Sequence, residues 1–250
     1  MGKIDLHEIL RHWESPEVES LRDKNLRMLE IESINNSIME LIDNHDKLSL
    51  ADFGCGDGFD TEIFGKLFAM SNGYDYSKEM LSRAKTRESR ILSFRKLDLL
   101  VDQIDSKFDV AISKRCIINL GDEVTQFEGL AKISDSVKSG GWLFLLECFV
   151  DGLANLNSLR ASAQLPELSQ PFHNNYLQRH KLAEFCVGKL DIVRIVDFST
   201  YYFLTRVISE YFTPVDMTEF DSNSKNVARD IDILQGKFIG PQTLYCLRKY

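Results

Sequence analysis

From Leu48 onward the chain alternates short apolar runs with amphipathic stretches of helical period. LSLADFG precedes TEIFGKLFAM, SNGYD precedes KEMLSRAK, ILSFRKLD follows, and FDVAIS precedes EVTQFEGLAKISDSVK, after which comes WLFLLECF. Strands separated by helical patterns of about 10 to 15 residues predict βαβ units, and strands this apolar predict a parallel sheet covered on both faces. Ahead of them, Leu26, Leu29, Ile34, Ile38, Leu41 and Ile42 recur at helical spacing, which predicts an amphipathic helix within residues 18–42. HEILRHWESPE before it predicts a shorter helix or lid. Beyond Phe149 the rhythm breaks. Residues 150–190 have helical and loop character, DIVRIVDF and TLYCLRKY read as two late strands, and 213–240 is polar and irregular. The expected organisation is a doubly wound α/β unit with four parts: an N-terminal helical segment or lid (1–45), a ligand-binding core (46–150), a substrate cap inserted after the fifth strand (151–190), and the last two strands with a polar insertion (191–250).

Composition narrows the class of protein. With 250 residues and 44% hydrophobic content the chain can bury a full core. A net charge of -8 argues against a surface built to neutralise phosphates, so nucleic acid is not an expected partner. Cys55, Cys116, Cys148, Cys186 and Cys246 are odd in number and contain no C-x-x-C pair, which predicts reduced buried thiols rather than a disulfide framework or zinc site. No basic-then-apolar leader and no apolar run near the roughly 20 residues that cross a bilayer are seen, so a cytoplasmic protein without a membrane partner is expected. His7, His12, His45 and His180 are isolated, and no histidine or carboxylate pattern suggests a metal site; none is expected.

The chemistry centres on ADFGCGDGFD, residues 51–60, where Gly54, Gly56 and Gly58 form G-x-G-x-G. The dinucleotide fingerprint would need its third glycine at position 59, which is Phe59, and a phosphate-cradling P-loop would need G-K-[ST]. Glycines here let the backbone approach a ligand closely at the carboxyl end of the first strand. Asp52 ends that strand. Asp75 ends the next, where a carboxylate can accept hydrogen bonds from both hydroxyls of a ribose.

The ordered set of segments resembles the class I S-adenosylmethionine-dependent methyltransferases over about residues 25–150. DFGCGDG is similar to that family's acidic-x-G-x-G-x-G motif, GYDYSKEML to its second motif and KLDLL to its third; FDVAIS and VKSGGWLFLLE match its fourth and fifth strands. The resemblance implies a Rossmann-like seven-stranded, mostly parallel sheet whose reversed last strand is TLYCLRKY. It implies S-adenosylmethionine as cofactor and S-adenosylhomocysteine as product. By the same resemblance Gly54, Gly56 and Gly58 line the methionine part, Asp75 with Tyr76 binds the ribose, Asp98 faces the adenine amino group with Leu99 beside the ring, and Asp52 supports the loop or reaches the methionine amine through water. Asp52 and Asp98 have the alternative of capping a helix or turn.

Methyl transfer from a sulfonium is an in-line displacement, so the protein mainly aligns the nucleophile and excludes water; a base is needed only for a protonated acceptor such as a hydroxyl. Candidate residues follow the fourth and fifth strands. In SKRCIINL, Arg115 clamps an acidic substrate or forms a structural ion pair, and Asn119 orients the acceptor or caps a helix. No N-P-P-Y motif of the amino-methylating nucleic-acid enzymes occurs at that point. Glu147 ends the fifth strand. In QPFHNNY, His173 is the expected general base, with Glu147 next, and Asn174, Asn175 and Tyr176 hold the acceptor; a plain Asn-rich turn is the alternative. Tyr201, Tyr202 and Arg206 line the pocket or pack the sheet. The cap pattern is similar to methyltransferases of bacterial surface-polysaccharide gene clusters, which ranks a sugar, sugar nucleotide or glycan end first among small polar acceptors with an oxygen nucleophile. The competing readings are a protein or RNA methyltransferase and a noncatalytic cofactor-binding module.

Overall fold

The computed structural model describes residues 6–18, 23–212 and 222–250. Seven strands form one sheet among them: β1 (Ser49–Phe53), β2 (Met70–Asp75), β3 (Leu92–Lys96), β4 (Phe108–Lys114), β5 (Val137–Cys148), β6 (Leu190–Asp197) and β7 (Gln242–Lys249), in the order β3-β2-β1-β4-β5-β7-β6. The pairs among β1 to β5 are parallel, whereas β7 runs antiparallel to both β5 and β6. The order reverses between β1 and β4, which is where an open α/β sheet leaves a crevice beyond the carboxyl ends of its strands.

Period-two alternation divides the core. Leu50, Val110, Ile112, Phe144, Leu146, Leu244 and Cys246 point to one face, where Leu29, Ile34 and Ile38 of α2 (Lys24–Leu41) and Phe64 of α3 (Phe59–Gly65) cover them. Ala51, Phe53, Ala111, Leu143, Leu145, Tyr245 and Leu247 point to the other, beneath Leu130 and Ile133 of α5 (Glu123–Ser136), which follows α4 (Lys78–Ala84) in the chain. Each fully buried aliphatic or aromatic side chain contributes about 1.5 to 3 kcal/mol, so both layers are firmly held. The expected amphipathic helix is α2, capped by Asp23, whose carboxylate accepts from the Leu26 amide; residues 19–22 lie outside the described part.

The expected cap over 151–190 divides. α6 (Val150–Ser162) leads into a loop through residue 178, while α7 (Arg179–Cys186) buries Leu182 and Cys186 in the α5-side core and packs on β6. A longer insertion lies between β6 and β7, carrying α8 (Ser199–Phe203), α9 (Ser209–Phe212) and α10 (Ser222–Asp230). The polar stretch 213–240 thus includes a helix; its residues 213–221 lie outside the described part. At the other end α1 (Leu6–Trp13) lies over the crevice, with Leu6, Leu10 and Trp13 lining it. Tyr76 Oη donates to the Leu10 carbonyl (3.3 Å), Ser77 Oγ to the Trp13 carbonyl (2.9 Å), and the Glu14 carboxylate accepts from the Lys78 and Glu79 amides at the start of α4.

Candidate active site

The first cavity lies across the carboxyl ends of β3, β2, β1 and β4 under α1. Leu97, Asp98, Leu99 and Leu100 line it after β3, Asp75 and Tyr76 after β2, Gly54 and Gly56 after β1, and Lys114, Arg115 and Cys116 at the end of β4, with Leu6, Leu10 and Trp13 of α1 above. All three loop glycines have positive φ: Gly54 at 77°, Gly56 at 54° and Gly58 at 74°. Their surroundings differ. A Cβ on Gly54 would meet the Cys116 Cβ at 2.6 Å and one on Gly58 would meet the Phe94 ring at 2.6 Å, whereas one on Gly56 meets nothing within 4 Å. Gly56 therefore presents bare backbone to the cavity, while Gly58 does not line it and permits packing of α3 on β3.

Asp75 fixes the loop while facing the cavity. Its Oδ2 accepts from the Gly56 amide (2.9 Å) and its Oδ1 from the Ser77 amide (2.9 Å), so each oxygen keeps a lone-pair direction for a ligand hydroxyl. Burial pushes its pKa up to about 6, against the amide bonds that lower it. Asp98 Oδ1 accepts from the Leu100 amide, which turns Leu99 and Leu100 toward the cavity. Asp52 does not line the cavity. Its Oδ2 accepts from Thr61 Oγ1 of α3 (2.5 Å), and burial pushes its pKa to about 7. Its place is behind the loop.

A second cavity, of about 880 Å³, opens beside the first. Trp13, Arg115 and Asn119 line both, so this is the junction of the two spaces. Arg115 has φ of 53°, a left-handed conformation that a non-glycine residue holds at a cost of order 1 to 3 kcal/mol. The Glu147 carboxylate holds that turn: its Oε1 accepts from the amides of Cys116 (3.0 Å) and Ile117 (2.9 Å), and burial pushes its pKa to about 7. Asn119 bridges the lid and the turn, accepting from Trp13 Nε1 (3.2 Å) and donating to the Arg115 carbonyl (2.8 Å).

The expected acceptor-side residues separate into two groups. His173, Asn174, Tyr176, Tyr202, Arg206, Arg115 and Asn119 line the second cavity. Glu147, Asn175 and Tyr201 do not: the first two depart from the acceptor-side roles expected of them, and Tyr201 takes the packing alternative. Glu147 is fully enclosed and turned to backbone amides, so it positions the turn rather than facing an acceptor. Asn175 pins the cap loop to the core: its amide donates to the Ile118 carbonyl and its Nδ2 to the Gly121 carbonyl. Tyr201 is fully buried, meets the Tyr202 ring edge-on, and its hydroxyl donates to Asp23 (2.8 Å). Arg206 lines the cavity while paired with Asp23 at 2.7 Å, and Tyr202 Oη donates to Gln242 Oε1.

His173 stacks on His12 of the lid, with ring centroids 4.3 Å apart and planes at 16°, and Trp13 and Phe172 meet it edge-on. Its Nδ1 has no hydrogen-bond partner among the described residues. Burial, with a smaller effect of the His12 charge, lowers its pKa to about 4, so the ring is neutral at pH 7. Trp13, His12, Lys114, Glu30 and Gln242 were not anticipated from sequence. Lys114 alone left a signal, a lysine ending the apolar run FDVAIS.

The site suits S-adenosylmethionine. Gly56 offers an open cradle, Asp75 a carboxylate for the ribose, the leucines after β3 an apolar slot for the adenine, and Lys114 a cation at the far end. Residues 51–143 match the model of a methyltransferase domain. No curated protein shows a significant sequence match. N-methyltransferase NodS from Bradyrhizobium japonicum WM9, in complex with S-adenosylhomocysteine, superposes with a TM-score of 0.59 at 11% identity, over 98% of this chain and 97% of that one. Magnesium protoporphyrin IX methyltransferase (ChlM) from Synechocystis PCC 6803 with bound S-adenosylhomocysteine gives 0.60 at 12% identity, over 98% and 94%. YjhP from E. coli gives 0.56 at 17%, over 97% and 100%. Likeness at such identities establishes the Rossmann-like methyltransferase fold. The domain match places a methyltransferase domain at residues 51–143 of that fold, and the solved neighbours named with S-adenosylhomocysteine share its architecture.

Proposed function

We propose that the protein is a class I S-adenosylmethionine-dependent methyltransferase and that it methylates a hydroxyl of a small molecule held in the second cavity. The observation that carries this reading is the shared boundary of the two cavities at Trp13, Arg115 and Asn119, where a bound acceptor meets the methyl-bearing end of the first. The cofactor supplies the electrophilic methyl group. The chain supplies alignment by the Trp13 and Arg115 walls, exclusion of water by α1, and a proton acceptor in the neutral imidazole of His173. A sugar, sugar nucleotide or glycan end is the narrower reading of the acceptor. Support comes from the rings of Phe172, Tyr176 and Tyr202 beside the polar Asn174 and Gln242 in one cavity. The net charge of -8 supports an acceptor other than nucleic acid.

One observation favours a second reading at the same site. With a pKa near 4, His173 is a weak base for a hydroxyl, whereas a neutral amine attacks without prior deprotonation. NodS is named an N-methyltransferase. A labelled-methyl assay over panels of saccharides, sugar nucleotides, phenols and amines tests both readings. Label in a small-molecule hydroxyl supports the first, label in an amine favours the second, and label found only in protein or RNA contradicts both.

A further inference from the structure

We propose that Lys114 reads the amino-acid end of the cofactor by binding its carboxylate, with Glu30 and Asp60 holding the ammonium group in place. The proposal rests on the cofactor reading of the first cavity and adds to it a residue that no motif assigns.

The sheet order provides the ruler. The lining residues follow β3, β2, β1 and β4, which lie side by side, so the cavity crosses three inter-strand steps of about 4.8 Å, roughly 14 Å in all. An elongated ligand whose adenine lies among Leu97, Leu99 and Leu100 and whose ribose reaches Asp75 must end beside β4. Lys114 is the last residue of β4 and lines the cavity there, with its side chain only 6% exposed.

An ammonium group has three N–H donors. Lys114 Nζ directs one to Glu30 Oε2 (2.6 Å) and one to Asp60 Oδ2 (3.0 Å), and the third has no acceptor among the described residues. A buried ammonium flanked by two carboxylates is pinned in place, and Lys114 lines a cavity in which it can serve as counter-group to an anion. The carboxylates are held in turn. Asp60 also pairs with Arg27 Nε (2.7 Å), and Glu30 is fully buried on α2 with Arg115 Nη2 at 3.6 Å. Arg115 is the competing reader. It lines both cavities and stands at the junction, whereas Lys114 lines the first cavity alone.

Binding of S-adenosylhomocysteine and of 5′-methylthioadenosine, which lacks the amino-acid portion, separates these roles by calorimetry. Lys114→Met is expected to weaken S-adenosylhomocysteine roughly 10- to 100-fold, as for a lost charge-assisted hydrogen bond, with 5′-methylthioadenosine changed by less than about 2-fold. Should the single variant fold poorly because Glu30 loses its partner, Lys114→Met/Glu30→Gln removes the stranded charge and is expected to show the same selective loss. Equal weakening of both ligands, no weakening, or a selective loss in Arg115→Met but not in Lys114→Met overturns the proposal. A wild-type protein that binds neither ligand removes the cofactor reading itself.

Discussion

The two cavities differ in how the chain builds them. Apart from its α1 cover, the cofactor half is made of short turns directly following β1, β2, β3 and β4, each fixed by hydrogen bonds within a few residues of a strand end, such as Ser77 and Leu100 amides on Asp75 and Asp98. The acceptor half is gathered from α1, the Arg115 turn, α6, the loop before α7, α8 with the residues after it, and the start of β7. Its ties span the chain, as between Trp13 and Asn119 or Asp23 and Tyr201. A site made of local turns is conserved as geometry by the sheet, while a site made of distant segments depends on the lid and both insertions being in place. Substitutions in the two halves should therefore fail differently.

The largest expected effect falls in the acceptor half. His173→Ala should lose roughly 10² to 10⁴-fold in turnover of a hydroxyl acceptor, the usual contribution of a positioned base, with S-adenosylhomocysteine affinity unchanged. Because His173 titrates near 4, the wild-type rate should not fall with its protonation until the pH approaches that value. A normal turnover rate in the variant removes His173 from proton transfer.

In the cofactor half, Asp75→Ala should weaken S-adenosylhomocysteine roughly 10- to 100-fold by calorimetry, from loss of the hydroxyl contacts and of the Gly56 amide bond that shapes the loop. An unaltered affinity would take Asp75 out of the site.

The glycines sharpen the contrast between structure and binding inside that half. Gly58→Ala puts a Cβ into the Phe94 ring at a positive φ and should cost about 2 to 4 kcal/mol in denaturant unfolding. Gly56→Ala has free space and should cost only about 1 kcal/mol in stability while weakening cofactor binding. The reverse ranking would mean that Gly56, not Gly58, carries the packing.

The smallest effect is a pH dependence. Asp52 and Glu147 have folded-state pKa values near 7, above their unfolded values of about 4. The native state holds more protons between those limits, so their stabilising contribution is present at acid pH and is lost as pH rises through 7. His173, lowered from 6.5 to about 4, acts in the opposite direction, and stability falls as pH drops across that interval. Asp52→Asn should flatten the decline toward pH 7 in unfolding measured at a series of pH values. A steeper decline contradicts the assigned direction.

Legibility from sequence follows the same division. The strand pattern and the glycine loop identified β1 to β5 and the turns after them because each is set by local spacing, and Asp75, Asp98, Leu99, Gly54 and Gly56 all line one cavity. TLYCLRKY was legible as the reversed strand only through the family resemblance. The acceptor half was legible as a composition of polar and aromatic residues, but not in its directions. Tyr202 lines the cavity while the adjacent Tyr201 is buried with its hydroxyl on Asp23, and Asn174 lines the cavity while Asn175 fastens the cap loop. Glu147 ends a strand at the expected place, yet the backbone amides of the Arg115 turn claim its carboxylate. No spacing rule connects Trp13 to Asn119, 106 residues away, so the wall between the cavities could not be read before folding.

A structure determined with S-adenosylhomocysteine bound locates the sulfur relative to both cavities. Adenine is expected among Leu97, Leu99 and Leu100, the ribose hydroxyls on Asp75, and the sulfur open to the second cavity between Trp13, Arg115 and Asn119. A ligand bound elsewhere, or one whose sulfur is sealed from the second cavity with α1 closed, would contradict this placement.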